Sequence, residues 1–184
     1  MLKIALSEIF DCQPDGEAHA LISQYPNMVT WWINHAGEFS GGSFSKFRKQ
    51  FYEAWRRDWT GYNSQHAQSR SVVAYSALQL WKEGSEKRSS LELKLSFAVI
   101  SPRIARIADG ALVFPTKLSK HGHVKLIPEN PRQRMLLEQA ENEHWQVGQA
   151  IVTAEWSVVP FTRFLDLTSE KDRVMKELLL ARAH

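Results

Sequence analysis

Lys46, Lys49, Arg56 and Arg57 have the type and spacing for phosphate recognition. Plotted at 100° per residue they share one side of a helix, with Glu53 as the acid among them. Phe44, Phe47, Phe51, Trp55 and Trp59 fall on the opposite side. A little further on, Gln65, Gln68, Ser69, Ser76 and Gln79 form a polar, almost uncharged stripe suited to hydrogen bonding, with Arg70 as a further cation beside it. Several of the seven tryptophans stand next to Lys or Arg, as in Trp55-Arg56-Arg57 and Trp81-Lys82, which fits stacking on bases. The helical phase of Trp32, Trp55 and Trp81 instead places all three in a core, so phosphate contact by the cationic stripe is the stronger half of the argument.

Catalytic patterns are nearly absent. The chain has no glycine-rich phosphate loop, no G-x-S-x-G elbow and no H-E-x-x-H helix. His121-Gly122-His123 puts two imidazoles in one expected turn without a neighbouring carboxylate or thiolate, a poor metal site. Cys12 lies near His19 in sequence but lacks an orienting third group, which favours a buried, inert thiol. Asp166, Glu170 and Asp172 do not share one helical face, and Thr168-Ser169-Glu170 reads as the start of a helix. No catalytic residue, metal or cofactor is expected.

The composition is that of a globular protein: 184 residues, 43% hydrophobic and 23% charged. The single cysteine excludes an internal disulfide framework and a cysteine-based zinc site. No run approaches the ~20 apolar residues of a membrane span, and Glu8 and Asp11 interrupt the first segment where a signal sequence would be apolar. The expectation is a cytoplasmic protein. Charge is unevenly spread. Ten basic and five acidic residues between Phe44 and Lys94 give that stretch +5 in a chain of net +3, leaving −2 for the remainder. A basic middle in a slightly acidic chain points to a polyanionic partner.

The elements that must position these residues change period near residue 88. A strand over Leu2–Ile9 and a turn at Gln13-Pro14-Asp15-Gly16 lead into a helix capped by Asp15 and running to about His35, with a kink expected at Pro26. Ser40-Gly41-Gly42 connects it to a helix from after Ser43 to about Trp59. A third helix, capped by Asn63 or Ser64, runs to about Glu83 with Ala67, Ala74, Leu78 and Trp81 as its core face. Strict alternation from Leu91 to Val99 predicts a strand. Short strands follow at Ile104–Ile107 and Leu112–Phe114 about Asp109-Gly110, with a turn at His121-Gly122 before Val124–Ile127. Asn130-Pro131 starts a helix to about Asn142, strands cover about Val147–Glu155 and Ser157–Leu165, and a last helix spans about Ser169–Ala183. The fold class expected is α+β: a small β-barrel or curved antiparallel sheet with an inserted three-helix unit and a C-terminal helix. Its parts are a first strand (1–15), the helical unit (16–88), barrel strands with one helix (89–168) and the last helix (169–184).

Phe51-Tyr52-Glu53-Ala54-Trp55-Arg56-Arg57 and Tyr62-Asn63-Ser64-Gln65-His66-Ala67-Gln68-Ser69 carry a likeness to a known family. It continues through Phe97 to Ile107, Val147-Gly148-Gln149, Val158-Val159-Pro160-Phe161 and Asp166-Leu167-Thr168. Together with the order of elements, these phrases resemble the N-terminal half of TnpB proteins, the transposon-encoded RNA-guided nucleases. The likeness implies a wedge barrel gripping the guide scaffold and a recognition-lobe insertion facing the guide RNA–target DNA heteroduplex. In that setting Lys46, Lys49, Arg56 and Arg57 are the phosphate-contacting candidates and Gln65, Gln68 and Ser69 the polar contacts. The protein would read A-form shape and leave sequence to base pairing. The RuvC-like nuclease domain and four-cysteine zinc element of the family are missing from this sequence, which continues through Arg173 to Leu180 as a helical pattern. The function expected is therefore non-catalytic binding of RNA and/or DNA, with a nuclease domain or partner chain supplied separately. The alternatives are a protein–protein adaptor, a folded transposase relic that binds no nucleic acid, and a small-molecule enzyme built on the histidines.

Overall fold

The computed structural model describes residues 2–36, 39, 41–83, 95–117, 119–142 and 144–165, with single positions 169, 171, 173, 174 and 176. Strand β1 (Leu2–Pro14) is longer than the alternation predicts and turns its even-numbered residues inward, ending in the buried Phe10 and Cys12. Asp15 then stops the strand. Its carboxylate accepts the backbone N–H of Ala18 at 2.7 Å and caps α1 (Gly16–His35). Pro26 does not divide this helix. Leu21, Ile22, Tyr25, Met28, Val29 and Trp32 are buried along its length, and their packing offsets the ~3 kcal/mol that an interior proline costs.

Ser43 caps α2 (Phe44–Asp58), which buries Phe47, Phe51 and Trp55. The side chain of Asn63 accepts the N–H of Gln65 at the start of α3 (Ser64–Glu83). Side-chain bonds also tie the helices together: Trp31 Nε1 in α1 donates to Asp58 at the end of α2 at 2.7 Å, and the Tyr75 hydroxyl in α3 donates to the carbonyl of Gly42, just before α2, at 3.0 Å.

The remaining strands are β2 (Ala98–Ile100), β3 (Arg106–Ala108), β4 (Ala111–Lys117), β5 (Lys120–Ile127), β6 (Gln146–Val147), β7 (Ala150–Val152) and β8 (Trp156–Leu165), with α4 (Pro131–Glu141) between β5 and β6. They form one antiparallel sheet in the order β2-β7-β8-β1-β5-β4-β3, with β6 also on β8, curved into a half-barrel. The long β1–β8 ladder, from Leu2↔Leu165 to Asp11↔Trp156, is its spine. The three inserted helices leave the sheet after β1 and return at β2. A single hydrophobic cluster runs from Trp32 and Phe47 in the helices to Phe114, Val159 and Phe161 in the sheet.

Three local expectations change. Residues 95–97 are irregular and β2 is confined to Ala98–Ile100, all three of them buried, so no two-faced alternation exists there. Residues 91–94 lie outside the described residues, as does most of the expected C-terminal helix. The expected strand over Val147–Glu155 is broken at Gly148, whose N–H donates to the Pro160 carbonyl and whose position leaves only 2.8 Å between an added Cβ and the Pro160 ring. His121-Gly122 is not a turn. It sits inside β5, with Gly122 opposite Phe114, and the chain reverses before it, near Ser119, where φ is +65°.

Gly122 is needed there for a different reason: α1 crosses so closely that a Cβ would meet the Ala18 backbone and the Thr116 methyl at 3.0 Å. Replacing Gly122 with Val should therefore cost about 1–3 kcal/mol by overpacking. Gly16→Ala, with nothing within 4 Å of its added methyl, should cost nothing by crowding. Urea unfolding midpoints of the two variants check this, and equal midpoints would refute the close approach.

Candidate nucleic-acid interface

Burial of Phe47, Phe51 and Trp55 fixes the roll of α2 and decides which side chains face water. Lys46, Lys49 and Arg57 are exposed. Arg56 is half-buried and donates from Nη1 to the carbonyl of Tyr62 at 3.1 Å, so part of its donor capacity is spent holding the α2–α3 connection. Arg48, on the same helix, lies 5.9 Å from the Phe44 ring centroid.

Between α2 and the start of α3 runs an open groove of about 520 Å³. Ser45, Arg48, Lys49, Tyr52 and Glu53 line one wall, and Ser64, Gln65 and Gln68 line the other. The first set follows i, i+3, i+4, i+7, i+8 spacing, one continuous strip of helix surface. The groove thus brings together Lys49, Gln65 and Gln68 of the residues expected from sequence and adds Arg48 and Tyr52, which hydropathy phase alone does not single out. That spacing is the signal that finds them.

Ser69 and Arg70 are not on this surface, which corrects their expected place among the contacts. Arg70 is fully buried, and Ser69 is buried beside it. The Arg70 guanidinium donates to His66 Nδ1 at 2.7 Å and to Ser69 Oγ at 2.9 Å, lies 3.2 Å from Met28 Sδ and stacks 4.5 Å from the Tyr25 ring centroid. Among the described residues no carboxylate pairs with it. Burial lowers its pKa to about 10, with the Tyr25 and Tyr62 side chains opposing the shift, and desolvation drives the Tyr25 hydroxyl up to about 12. His66 Nε2 meets the Pro115 carbonyl at 2.8 Å. Burial first, and the Arg70 charge second, hold its pKa well below the usual histidine value.

The other candidate groups are placed as follows. Cys12 is buried with its Sγ 3.7 Å from the Thr153 carbonyl, and burial pushes its thiol up, so it is an inert thiol. His121 and His123 are exposed, and His123 contacts the capping carboxylate of Asp15 at 3.0 Å. Burial raises the Asp15 carboxyl, but bonds from Ala18 and His123 outweigh it and leave the group below the usual range. Among the described residues no group of three or more His, Cys, Asp or Glu is placed to hold a metal ion. Asp166, Glu170 and Asp172 lie outside the described residues. A second concavity of about 440 Å³, lined by Arg103, Arg106, Trp145 and Val147 among others, sits at the edge formed by β3, β6 and the end of α4. Among the described residues no helix is long and apolar enough to cross a membrane.

No protein-family model matches the chain, and no curated protein matches it.

Proposed function

We propose that the protein binds nucleic acid without cleaving it, using the outer side of α2 and the adjoining start of α3. The observation that carries this reading is the disposition of α2: its aromatic side is locked in the core, so Lys46, Lys49 and Arg57 project together into water beside a groove lined by Arg48 and two glutamines. Cations fixed on a rigid helix attract phosphate without the entropic cost of ordering a loop. The likeness to the recognition part of TnpB proteins favours RNA or an RNA–DNA hybrid as the ligand.

The test is fluorescence anisotropy with labelled structured RNA, single-stranded DNA and duplex DNA across a salt series. Wild type is compared with Lys46→Ala/Lys49→Ala/Arg57→Ala; Arg56 is left in place because it ties the α2–α3 connection. Binding should weaken steeply with salt, each phosphate contact contributing ~0.9 to the log–log slope on duplex and ~0.7 on single strands. The triple variant should lose more than tenfold in affinity and lower the slope by about 2 to 3. An unchanged slope in a folded triple variant would move the site elsewhere, and absence of binding at low salt would end the nucleic-acid reading.

A second reading, a protein–protein adaptor, is favoured by one feature. Ile9, Trp156 and Phe164, which are 64%, 40% and 52% exposed, lie on the same outer face of the β1–β8 ladder. Binding through that face would depend little on salt.

A further inference from the structure

We propose that the concavity between β3, β6 and the end of α4 binds a small phosphate monoester carried on an apolar or aromatic body, at a site separate from the α2–α3 groove. Its charge comes from Arg103 and Arg106, which both line it and are both exposed. Among the described residues no carboxylate lines the concavity, and neither guanidinium enters an ion pair. Glu141, at the end of α4, is the acid nearest in sequence to that wall, but its carboxylate accepts the Asp109 N–H at 2.6 Å.

Both sides of the concavity are fixed by bonds of their own. The Ser101 carbonyl accepts the N–H groups of Ile104 and Ala105, each at 3.2 Å, and its hydroxyl accepts the Arg103 N–H at 3.3 Å. Arg106 then opens β3, in register with Val113 of β4. On the facing side Trp145 is buried, and its Nε1 donates to the Gln139 side chain at 2.8 Å, so the indole adds apolar wall and no spare donor. Ala105, Ile107 and Val147 extend that apolar lining. Cations carried on a fixed backbone take an anion without the cost of ordering a loop.

The number of cations selects the anion. A carboxylate or an internal phosphodiester carries one charge, which a single guanidinium fork satisfies. Two guanidiniums lining one space match a group with nearly two charges and three free oxygens, which is a phosphate monoester. The space of about 440 Å³ is within the ~300–1,000 Å³ of small-molecule sites, and its apolar lining has a use only if the phosphate carries a body.

The experiment is calorimetric titration with phenyl phosphate, inorganic phosphate and phenyl sulfate, using wild type, Arg103→Gln, Arg106→Gln and the triple α2 variant Lys46→Ala/Lys49→Ala/Arg57→Ala. Wild type should bind phenyl phosphate ~10-fold or more tighter than inorganic phosphate, through burial of the ring, and tighter than the singly charged sulfate. Each arginine variant, changed at an exposed side chain, should weaken phenyl phosphate ~10-fold or more. The α2 variant should leave that affinity unchanged. The indole N–H resonance of Trp145, assigned by its loss in Trp145→Phe, should shift as phenyl phosphate is added. Unchanged affinity in both arginine variants, or no binding of phenyl phosphate at millimolar concentration, would overturn the proposal. Loss of binding in the α2 variant alone would move the ester to α2 and overturn it equally. Anisotropy of ten-nucleotide RNA with a 5′-phosphate or a 5′-hydroxyl end separates the two sources of a monoester. Equal affinities are expected for a free small molecule; a gain from the phosphate that Arg103→Gln removes would overturn the small molecule and make a strand end the carrier.

Discussion

Arg70→Ala should cost about 3–5 kcal/mol, while a folded Arg70→Met protein should lose less than half as much. The guanidinium is fully buried yet meets neutral groups: His66 Nδ1, Ser69 Oγ, Met28 Sδ and the Tyr25 ring. Truncation to Ala removes the long stem that fills the space between α1 and α3 and leaves the His66 nitrogen without its donor. Methionine keeps much of the stem volume and discards a charge that no carboxylate balances among the described residues. Urea titrations at constant pH measure both. Equal losses would mean that the hydrogen bonds, not the volume, dominate. Binding of RNA by either folded variant should match wild type, since no part of Arg70 reaches the surface.

That expectation departs from the sequence reading for a physical reason. Among the described residues the buried side of α3 comprises His66, Ala67, Ser69, Arg70, Ser71 and Ala74, small or polar residues at i, i+1, i+3, i+4, i+5 and i+8. Hydropathy phase places Arg70 in water because charged side chains are seldom buried without a countercharge. Here short Ala and Ser side chains let α1 approach, and an aromatic face, a thioether and an imidazole substitute for water around the guanidinium. The aromatic face and the thioether come from Tyr25 and Met28 of α1, far from Arg70 in sequence, and only His66 and Ser69 are local to it. The side of α2 was legible for the opposite reason: Phe47, Phe51 and Trp55 recur every four residues, and nothing else in that window competes for the core.

The sheet divides in the same way. Caps and tight turns depend on neighbouring residues, so Asp15, Ser43, Asn130-Pro131 and Asp109-Gly110 fall where their types predict. Gly122 and Gly148 depend on groups far along the chain, the Ala18 backbone and the Pro160 ring, and sequence reads such glycines as turns or leaves them inside a strand. The groove has both characters. Its α2 wall is periodic and recognisable, but its other wall comes from α3, and only the packing of the two helices brings Tyr52 and Gln65 to one groove.

The second large effect expected is acid lability set by His66. Arginine only donates, so the contact from Arg70 fixes His66 Nδ1 as an acceptor and leaves the proton on Nε2, which donates to the Pro115 carbonyl. A second proton would have to enter at Nδ1, against the Arg70 charge and in a buried site. The folded pKa is accordingly well below the ordinary 6.5, despite the Pro115 bond acting in the other direction. The unfolded chain protonates this ring near pH ~6.5 and the folded chain does not, so the unfolded state binds more protons below that point. The stability contribution is complete above pH ~6.5 and falls as pH drops toward the folded pKa, by up to ~1.4 kcal/mol per unit. Asp15, held below the usual carboxylate range, stays ionised through most of that interval and adds its own loss only below about pH 3.8. His66→Gln can accept from Arg70 and donate to Pro115 without titrating, so its urea midpoint should vary distinctly less than wild type's between pH 7.5 and about 4.5. Parallel curves for the two proteins would place the acid sensitivity elsewhere and show that the buried imidazole is not its source.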